Sequence, residues 1–488
     1  EMKKIKYILL TITVMSCSTI KIPPEGVNYE SPVRKTNTVD FYYDLTFLDK
    51  NGNIKYDRNL WDATYKVVDN AKDYLIIEMF LLNDIYNKDQ ENFPKFAEEY
   101  VKRVIKKKRE NPNLKVYILL DENNNLYGAF EHPFITKMKE SGIEIIEVGI
   151  MKLKDTFPWY SPIWRTFIEP HGNPKNKGWI SNFYGPMWPK LSLRNVLRAL
   201  NVKADHRKVF LNENEIVVSS ANIHDPSYFH ENVALYTNGE IVNDVLDNLK
   251  KVAKFSNSKI EINDMKNNIE KIDVVEKKSQ EIESLNNENE GEYKVQYLSE
   301  SKIGENLDRD LDSTVNGDEI LMGMYFLADK NILKKLIEAS NRGVKIRIIL
   351  DRSRDAFGMS TNGLPNKPVS KKLRKKTDKK IEIKWYFTNN EQYHTKLIMI
   401  KKINEEAIIY TGSANMIKKN IRGYIMDSDF RVIANKNSKL VKDIDTYFDR
   451  LWDNKDGIFT LEYDDEPTTK ETTDFIYKIL DITQLGSF

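Results

Sequence analysis

The strongest constraint on this chain is a duplication. His206-Arg207-Lys208 returns as His394-Thr395-Lys396, and each copy is followed by a Ser-Ala-Asn tripeptide, at Ser220-Ala221-Asn222 and at Ser413-Ala414-Asn415. An apolar run separates the two motifs in each copy, from Glu215 to Ser219 and from Ala407 to Gly412. Each copy then has an acid ahead of another apolar run: Glu231 before Asn232 to Tyr236, and Asp429 before Phe430 to Ile433. A bare His-x-Lys recurs easily by chance, because both residues are common on surfaces. A shared frame of this length does not, and the chain has only six histidines to distribute. Context turns a weak motif into a specific expectation of one paired site.

The repeat extends upstream. Asp73 to Phe80 parallels Asp318 to Tyr325, and Asn113 to Asp121 parallels Gly343 to Asp351. These short apolar runs, bounded by turn residues and charge, predict buried strands. Between them, Phe96 to Arg109 and Lys330 to Asn341 carry apolar residues at helical spacing. Strand, helix and strand in order predict right-handed crossovers. The fold class expected is α/β: two similar domains, each a mixed, largely parallel sheet flanked by helices, packed pseudo-symmetrically around one site.

With these residues in view, the sequence resembles the phospholipase D superfamily, whose signature is His-x-Lys with a trailing acid and a Gly-Ser-x-Asn or related tail. The resemblance runs from about Asp40 to about Asp453. The second copy follows the pattern through His394, Lys396 and Gly412-Ser413-Ala414-Asn415, while the first has Ser219 in place of the glycine. The acid usually five residues after the lysine is Glu213 in copy one, but Lys401 occupies that place in copy two. That acid is regarded as structural in the family, so its loss bears on loop geometry more than on chemistry.

The resemblance implies a phosphodiester site that works without metal or cofactor, and the residue chemistry agrees. Lys208 and Lys396 would neutralise the phosphate as point charges, with Asn222 and Asn415 as amide donors. One imidazole attacks phosphorus to give a phosphohistidine, and the other protonates the leaving alkoxide, then activates water or an alcohol. By the family's common order, His206 is the nucleophile and His394 the general acid. Glu231 and Asp429 sit where the family places acids that hold the far ring nitrogen. Ser220 and Ser413 are expected to support the site.

The N-terminus bears on location. Lys3, Lys4 and Lys6 precede an apolar stretch from Tyr7 to Met15, too short for a comfortable membrane span and shaped like a secretory signal. It ends in Val14-Met15-Ser16-Cys17, which resembles a bacterial lipobox with Cys17 as the lipid-bearing residue; an ordinary signal peptide with a free cysteine is the alternative. Residues 1–17 are thus expected to be a signal peptide, and the body an extracytoplasmic lipoprotein of a bacterial cell membrane. Cys17 is the only cysteine among 488 residues, which excludes disulfides within the chain.

Charge narrows the partners. The 75 basic and 73 acidic residues leave a net charge of +2, which lacks the basic bias of a general nucleic-acid binder. The partners expected are a phospholipid substrate and a membrane surface reached through the lipid anchor, with no nucleic acid, and the chain a monomer. The basic run Lys371-Lys372-Leu373-Arg374-Lys375-Lys376 reads as a solvated face or as a contact for anionic headgroups.

Domain one is expected over 40–254 and domain two over 292–454. Between them, 255–291 is rich in Asn, Lys, Glu and Ser and reads as a linker or weak helix. A tail occupies 455–488, with Thr473 to Ile482 as a closing helix. Glu78 to His206 spans 206 − 78 = 128 positions, whereas Gly323 to His394 spans 394 − 323 = 71. Copy one therefore carries an insertion at about 151–202, on the loop side where α/β sites form. It holds Trp159, Trp164, Trp179 and Trp188, four of the seven tryptophans, among six prolines. These rings could enter a membrane interface, roof an acyl-chain groove, or build a small core for the insertion itself.

Three functions compete: a phosphodiester hydrolase of membrane phospholipids, a phosphatidyl transferase resembling cardiolipin synthase, and a metal-independent nuclease. The first two pass through the same phosphohistidine. A degenerate binding protein is disfavoured by the intact His and Lys pairs.

Overall fold

The computed structural model describes residues 19–258, 292–352, 355–356, 359–360 and 362–466. The signal segment with Cys17, the linker from 259 onward and the closing helix expected at Thr473 to Ile482 lie outside the described residues.

Two mixed sheets form the framework, one of eight and one of nine strands. In the first, the order is Ile54–Arg58, Val39–Leu48, Asn232–Asn238, Glu215–Ser219, Lys208–Asn212, Tyr74–Met79, Lys115–Leu120, Glu144–Glu147. In the second, Tyr293–Ser299, Ser428–Asn435, Glu406–Gly412, Lys396–Lys401, Glu319–Met324, Lys345–Leu350 and Ile381–Tyr386 follow the same sequence of roles. The duplication read from the motifs is thus a duplication of topology. Edge strands Arg34–Thr36 and Thr460–Glu462 complete the second sheet, so residues ahead of the first domain pair with the second.

The expectation of largely parallel sheets is corrected. Only Tyr74–Met79, Lys115–Leu120 and Glu144–Glu147 run parallel in the first sheet, with the corresponding three in the second. All other neighbours in the two sheets are antiparallel, because each motif-bearing strand turns straight back on itself: Lys208–Asn212 pairs with Glu215–Ser219 through a two-residue connection. Hairpins need no crossover helix, and parallel pairing persists only where helices intervene.

Local chemistry sets the helices. Lys330–Asn341 begins where the Asp329 carboxylate accepts the backbone N–H groups of Asn331 and Ile332 at 3.1 and 3.0 Å, satisfying donors a helix start leaves open. Ile241–Phe255 and Lys439–Trp452 each carry an apolar face, burying Val245, Leu246 and Leu249 in one and Val441, Ile444 and Phe448 in the other. Each packs on the opposite domain, the first against Tyr293–Ser299 and the second against Val39–Leu48. One core therefore spans both sheets, with Leu45, Val218 and Leu235 from the first and Met399, Ile409 and Val432 from the second. Truncating such a residue to alanine costs about 2–5 kcal/mol, so this interface holds the two halves in fixed register.

A buried ionic cluster sits in the same interface. Arg207, the middle residue of the first motif, is fully buried and donates to Glu300 Oε1 at 3.0 and 2.6 Å, to Asn248 Oδ1 at 2.9 Å and to the Val27 carbonyl at 3.1 Å, with Glu78 Oε2 at 3.6 Å. The second copy fills the equivalent space differently. Gly323 stands where Glu78 does, and a Cβ there would lie 2.4 Å from the Tyr393 hydroxyl.

The insertion is folded against both domains. Trp164 is only 3% exposed within the shared core, and Trp188 stacks on His132 while donating its Nε1–H to the Tyr86 carbonyl at 2.9 Å. Trp159 and Trp179 are 51% and 70% exposed. Lys154 lies over Tyr424 and Lys419 over Phe157, so the insertion also grips the 418–424 segment of domain two. The basic run at 371–376 forms the outer face of the helix Asn366–Lys376, which buries Val369 and Leu373.

Candidate active site

The two motif histidines meet. Their ring centroids lie 6.5 Å apart at an interplanar angle of 70°. Short cross-domain pairings bring them together. Asp205 bridges Met426, with the His206 N–H on the Met426 carbonyl at 2.8 Å, and Glu231 bridges Tyr393, with the Glu231 N–H on the Gln392 carbonyl at 3.1 Å. Each motif therefore enters its strand alongside the loop that precedes a strand of the other domain, Ser428–Asn435 for the first motif and Asn232–Asn238 for the second.

The surroundings are nearly two-fold. Phe80 lies 4.9 Å from the His206 ring and Tyr325 lies 5.1 Å from the His394 ring. These are the last positions of the parallel segments Asp73 to Phe80 and Asp318 to Tyr325. Each aromatic face also receives the ammonium of its own motif, Lys208 at 5.0 Å and Lys396 at 5.1 Å. Lys208 donates to the His206 carbonyl, and Lys396 to the His394 carbonyl at 2.8 Å. Asn222 and Asn415 are each nearly buried, and the Oδ1 of each lacks a hydrogen-bond partner among the described residues. Two imidazoles and two ammonium groups thus surround one small space.

The far ring nitrogens are held by residues other than those expected. His206 Nδ1 is 2.8 Å from Asp427 Oδ1, and His394 Nδ1 is 3.0 Å from Asn232 Oδ1. Glu231 and Asp429 are the correction: Glu231 Oε1 accepts the Thr46 N–H at 3.2 Å, and Asp429 Oδ1 accepts the Ala414 N–H at 3.1 Å. Both carboxyls thus serve backbone rather than imidazole. Ser220 and Ser413 support the true partners, donating to Asn232 Oδ1 at 2.9 Å and to Asp427 Oδ1 at 2.8 Å. Glu213 accepts the N–H groups of Lys72 and Asp73, anchoring the start of Tyr74–Met79, whereas Lys401 pairs with Glu319 and Asp445.

A third imidazole adjoins the pair, absent from the sequence reading. The His230 ring lies 6.0 Å from that of His394, and its Nδ1 accepts the Gln392 N–H at 3.2 Å. No motif marks it, since it belongs to one copy only.

Burial and mutual repulsion keep these groups short of protons. Burial and then the Lys208 charge push His206 down to about 4, against the opposing pull of Asp427. His394 is pushed well below its ordinary value by burial, Lys396, His230, Lys208 and His206. Burial brings Lys208 down to about 7, and burial with Lys208 takes Lys396 well below the usual ammonium range. Burial raises Asp429 to about 8 and holds Glu231 well above the carboxylate range. Negative charge brought beside such a cluster would return its protons, because it opposes the desolvation and repulsion that removed them.

Comparisons with known proteins agree with the fold. Residues 308–452, within the second copy, match the family model described as cardiolipin synthase, PLD-like domain. A phosphatidylserine synthase from Haemophilus influenzae superposes with a TM-score of 0.56 at 10% identity, covering 97% of this chain and 98% of that one. At that identity the likeness shows the fold alone. Polyphosphate kinase from Porphyromonas gingivalis aligns at a TM-score of 0.42 and 11% identity, over 92% of this chain and 54% of the other. Nuc, a phospholipase D family member from Salmonella typhimurium, aligns at 0.26 and 21% identity, over 34% of this chain and 98% of its own. No curated protein matches the chain in sequence. The domain match and the duplicated topology define a class by likeness: residues 308–452 match a PLD-like domain, and the first half of the chain repeats its strand order.

Proposed function

We propose that the protein is a phosphodiester hydrolase acting on membrane phospholipids through a phosphohistidine intermediate. The observation that carries this reading is the approach of His206 and His394 to 6.5 Å across the domain interface, with Lys208 and Lys396 beside them. An attacking nitrogen needs to reach phosphorus at roughly 3–3.5 Å, and two rings this close can address one phosphate. The lysines and the amides of Asn222 and Asn415 would hold the equatorial oxygens. In this reading Glu231 and Asp429 keep the motif loops in place rather than touching substrate.

The insertion favours a lipid surface as the source of substrate. Residues 151–202 hold eight Lys and Arg against two acids, net +6 in a chain of net +2. Among them, Phe167, Trp179 and Phe183 are 66%, 70% and 72% exposed. Exposed aromatic residues amid positive charge suit an anionic bilayer surface, and the insertion runs directly into His206. Among the described residues no helix is long and apolar enough to cross a membrane. Attachment through Cys17 remains part of the proposal, tested by incorporation of a fatty-acid label at that residue.

A second reading is phosphatidyl transfer, which the description of the matched family favours. Water and an alcohol acceptor would meet the same intermediate. The test is incubation of the protein with phosphatidylglycerol, cardiolipin and phosphatidylethanolamine vesicles and with DNA in parallel, with products identified by mass. Phosphatidic acid supports hydrolysis, and a new diester lipid supports transfer. Cleavage of DNA alone refutes both lipid readings.

A further inference from the structure

The two half-sites differ along one flank. Glu231 bridges Tyr393 and Met426 bridges Asp205, the residues just ahead of His394 and His206. Counting back from each bridge sets His230 and Phe229 of the first copy in the places of Ile425 and Tyr424 of the second. The Tyr424 ring takes the ammonium groups of Lys154 and Lys418, at 4.0 and 5.7 Å from its centroid. The Phe229 flank instead carries a histidine and a row of aromatic rings. We infer that His230, Phe229, Phe93 and Tyr56 form a subsite beside His394 for the acylated glycerol end of a glycerophospholipid, with His230 donating a hydrogen bond to an oxygen of that end. This rests on the phosphodiesterase reading and names the part of the substrate that lies on this side of the phosphate.

The donor follows from the contacts of the ring itself. His230 Nδ1 accepts the Gln392 N–H at 3.2 Å, so that nitrogen carries no proton. Burial, with His224, Lys396 and Arg58, pushes the ring down to about 3, so it is neutral at working pH. The single proton of a neutral imidazole then sits on Nε2. Nε2 has no hydrogen-bond partner among the described residues, and His230 is half-buried. The ring stands 6.0 Å from that of His394. A fixed, uncharged donor is therefore available next to the pair of imidazoles that addresses phosphorus.

Beyond His230 the flank is apolar. The Phe229 ring lies 5.2 Å from Tyr56 and 6.2 Å from Phe93, and Phe93 lies 5.1 Å from Tyr86. Tyr56 is 51% exposed, and Ile54, two positions away on the same face of the edge strand Ile54–Arg58, is also exposed. Phe93 and Phe229 are half-exposed. Arg58 braces these rings. Its guanidinium lies 4.9, 4.6 and 5.4 Å from the centroids of Tyr56, Tyr228 and Phe229, and it donates to the Tyr228 carbonyl and to Thr46 Oγ1. Thr46 Oγ1 in turn donates to the Phe229 carbonyl at 2.7 Å. Outward from phosphorus the order is thus one donor, then aromatic surface. An acylated glycerol has the same order, with ester oxygens near the phosphate and apolar chains beyond them, whereas a free glycerol or ethanolamine headgroup has no apolar body to place there. Pockets with a few placed polar groups and apolar walls are the usual form of such subsites.

The test compares dibutanoyl and dihexanoyl phosphatidylglycerol as monomers in solution, with products identified by mass. A methylene moved fully out of water raises kcat/KM by up to about fourfold, so the native protein is expected to favour the dihexanoyl lipid by about tenfold or more. Tyr56→Ala combined with Phe93→Ala, both reached by solvent, is expected to cut that preference to about threefold or less. His230→Leu removes the donor and His230→Gln keeps one. Their readout is the preference for the diester lipid over its diether analogue, which lacks the acceptor carbonyls: about 2–10-fold in the native protein, lost in His230→Leu and kept in His230→Gln. A chain-length preference absent from the native protein, or unchanged in the double variant, overturns the subsite. An ester preference unmoved by His230→Leu overturns the role of His230. A thymidine p-nitrophenyl diester turned over faster than either lipid, with that advantage lost in the double variant, assigns the flank to a base and also overturns the inference. Turnover of no diester by the native protein overturns the phosphodiesterase reading itself, so the two failures are distinguishable.

Discussion

Filling the site with a tetrahedral anion at pH 8 is expected to draw protons out of solution. Burial brings Lys208 to about 7, so only about a tenth of it is charged at pH 8. A bound anion returns it toward its ordinary 10.5, an uptake of about 0.9 proton from this group alone. His206, pushed down to about 4 by burial, adds a second proton as far as the anion lifts it past the working pH. The sign follows from linkage: the bound form holds more protons between the two pKa values, so affinity falls as pH rises above about 7. At pH below that, Lys208 is already charged and contributes nothing. Complete restoration over roughly three units corresponds to at most about 4–5 kcal/mol of coupling, at ~1.4 kcal/mol per unit. Tungstate is a suitable ligand, since it does not titrate near pH 8. Calorimetric titration in two buffers of different ionisation enthalpy gives the proton count directly. One to two protons taken up by the native protein, and about one fewer by Lys208→Met, is the expected result. Zero uptake or proton release would refute the picture of a site depleted of charge by burial.

Other expectations are simpler to state. His206→Ala and His394→Ala each lose turnover of an alkyl phosphodiester, by about 10²–10⁴-fold for the acid–base ring and more for the nucleophile, with circular dichroism unchanged; substantial hydrolysis by either folded variant contradicts the paired mechanism. Arg207→Leu strands Glu300 and Glu78 in the interface, both already raised to about 7 by burial, and should cost about 3–5 kcal/mol in urea unfolding; a loss under 1 kcal/mol would show that the cluster is dispensable. Trp179→Ala with Phe183→Ala should weaken sedimentation with anionic vesicles while leaving hydrolysis of a soluble diester unchanged. By contrast, Trp164→Ala opens the shared core and should lower stability rather than vesicle binding alone.

The duplication, the strands, the helix Lys330–Asn341 and the two-domain plan were readable because each rests on local periodicity and turn chemistry. Parallel pairing was over-read, since hairpins and crossovers leave similar apolar runs and differ only in the length of the connection. The histidines, lysines and amides stand out through their repeat, and the fold brings the two histidines and two lysines together. Their partners were missed for a geometric reason. Ser220 and Asn232 are 12 residues apart, whereas Ser413 and Asp427 are 14 apart. The loops differ in length, and an asparagine replaces the acid in one copy, so matching acids selected Glu231 and Asp429, which flank the right positions. Trp164 and Trp188 could not be told from Trp159 and Trp179 by sequence, because burial of a proline-rich insertion depends on what it packs against.

The central claim is that both halves of the chain build one phosphate site. Crystals soaked in tungstate test it most directly, because a heavy tetrahedral anion reports its own position. A single anion within hydrogen-bonding distance of Lys208 and Lys396, between the rings of His206 and His394, is the result predicted. Two anions in separate pockets, or an empty space between the rings at saturating tungstate, would contradict it.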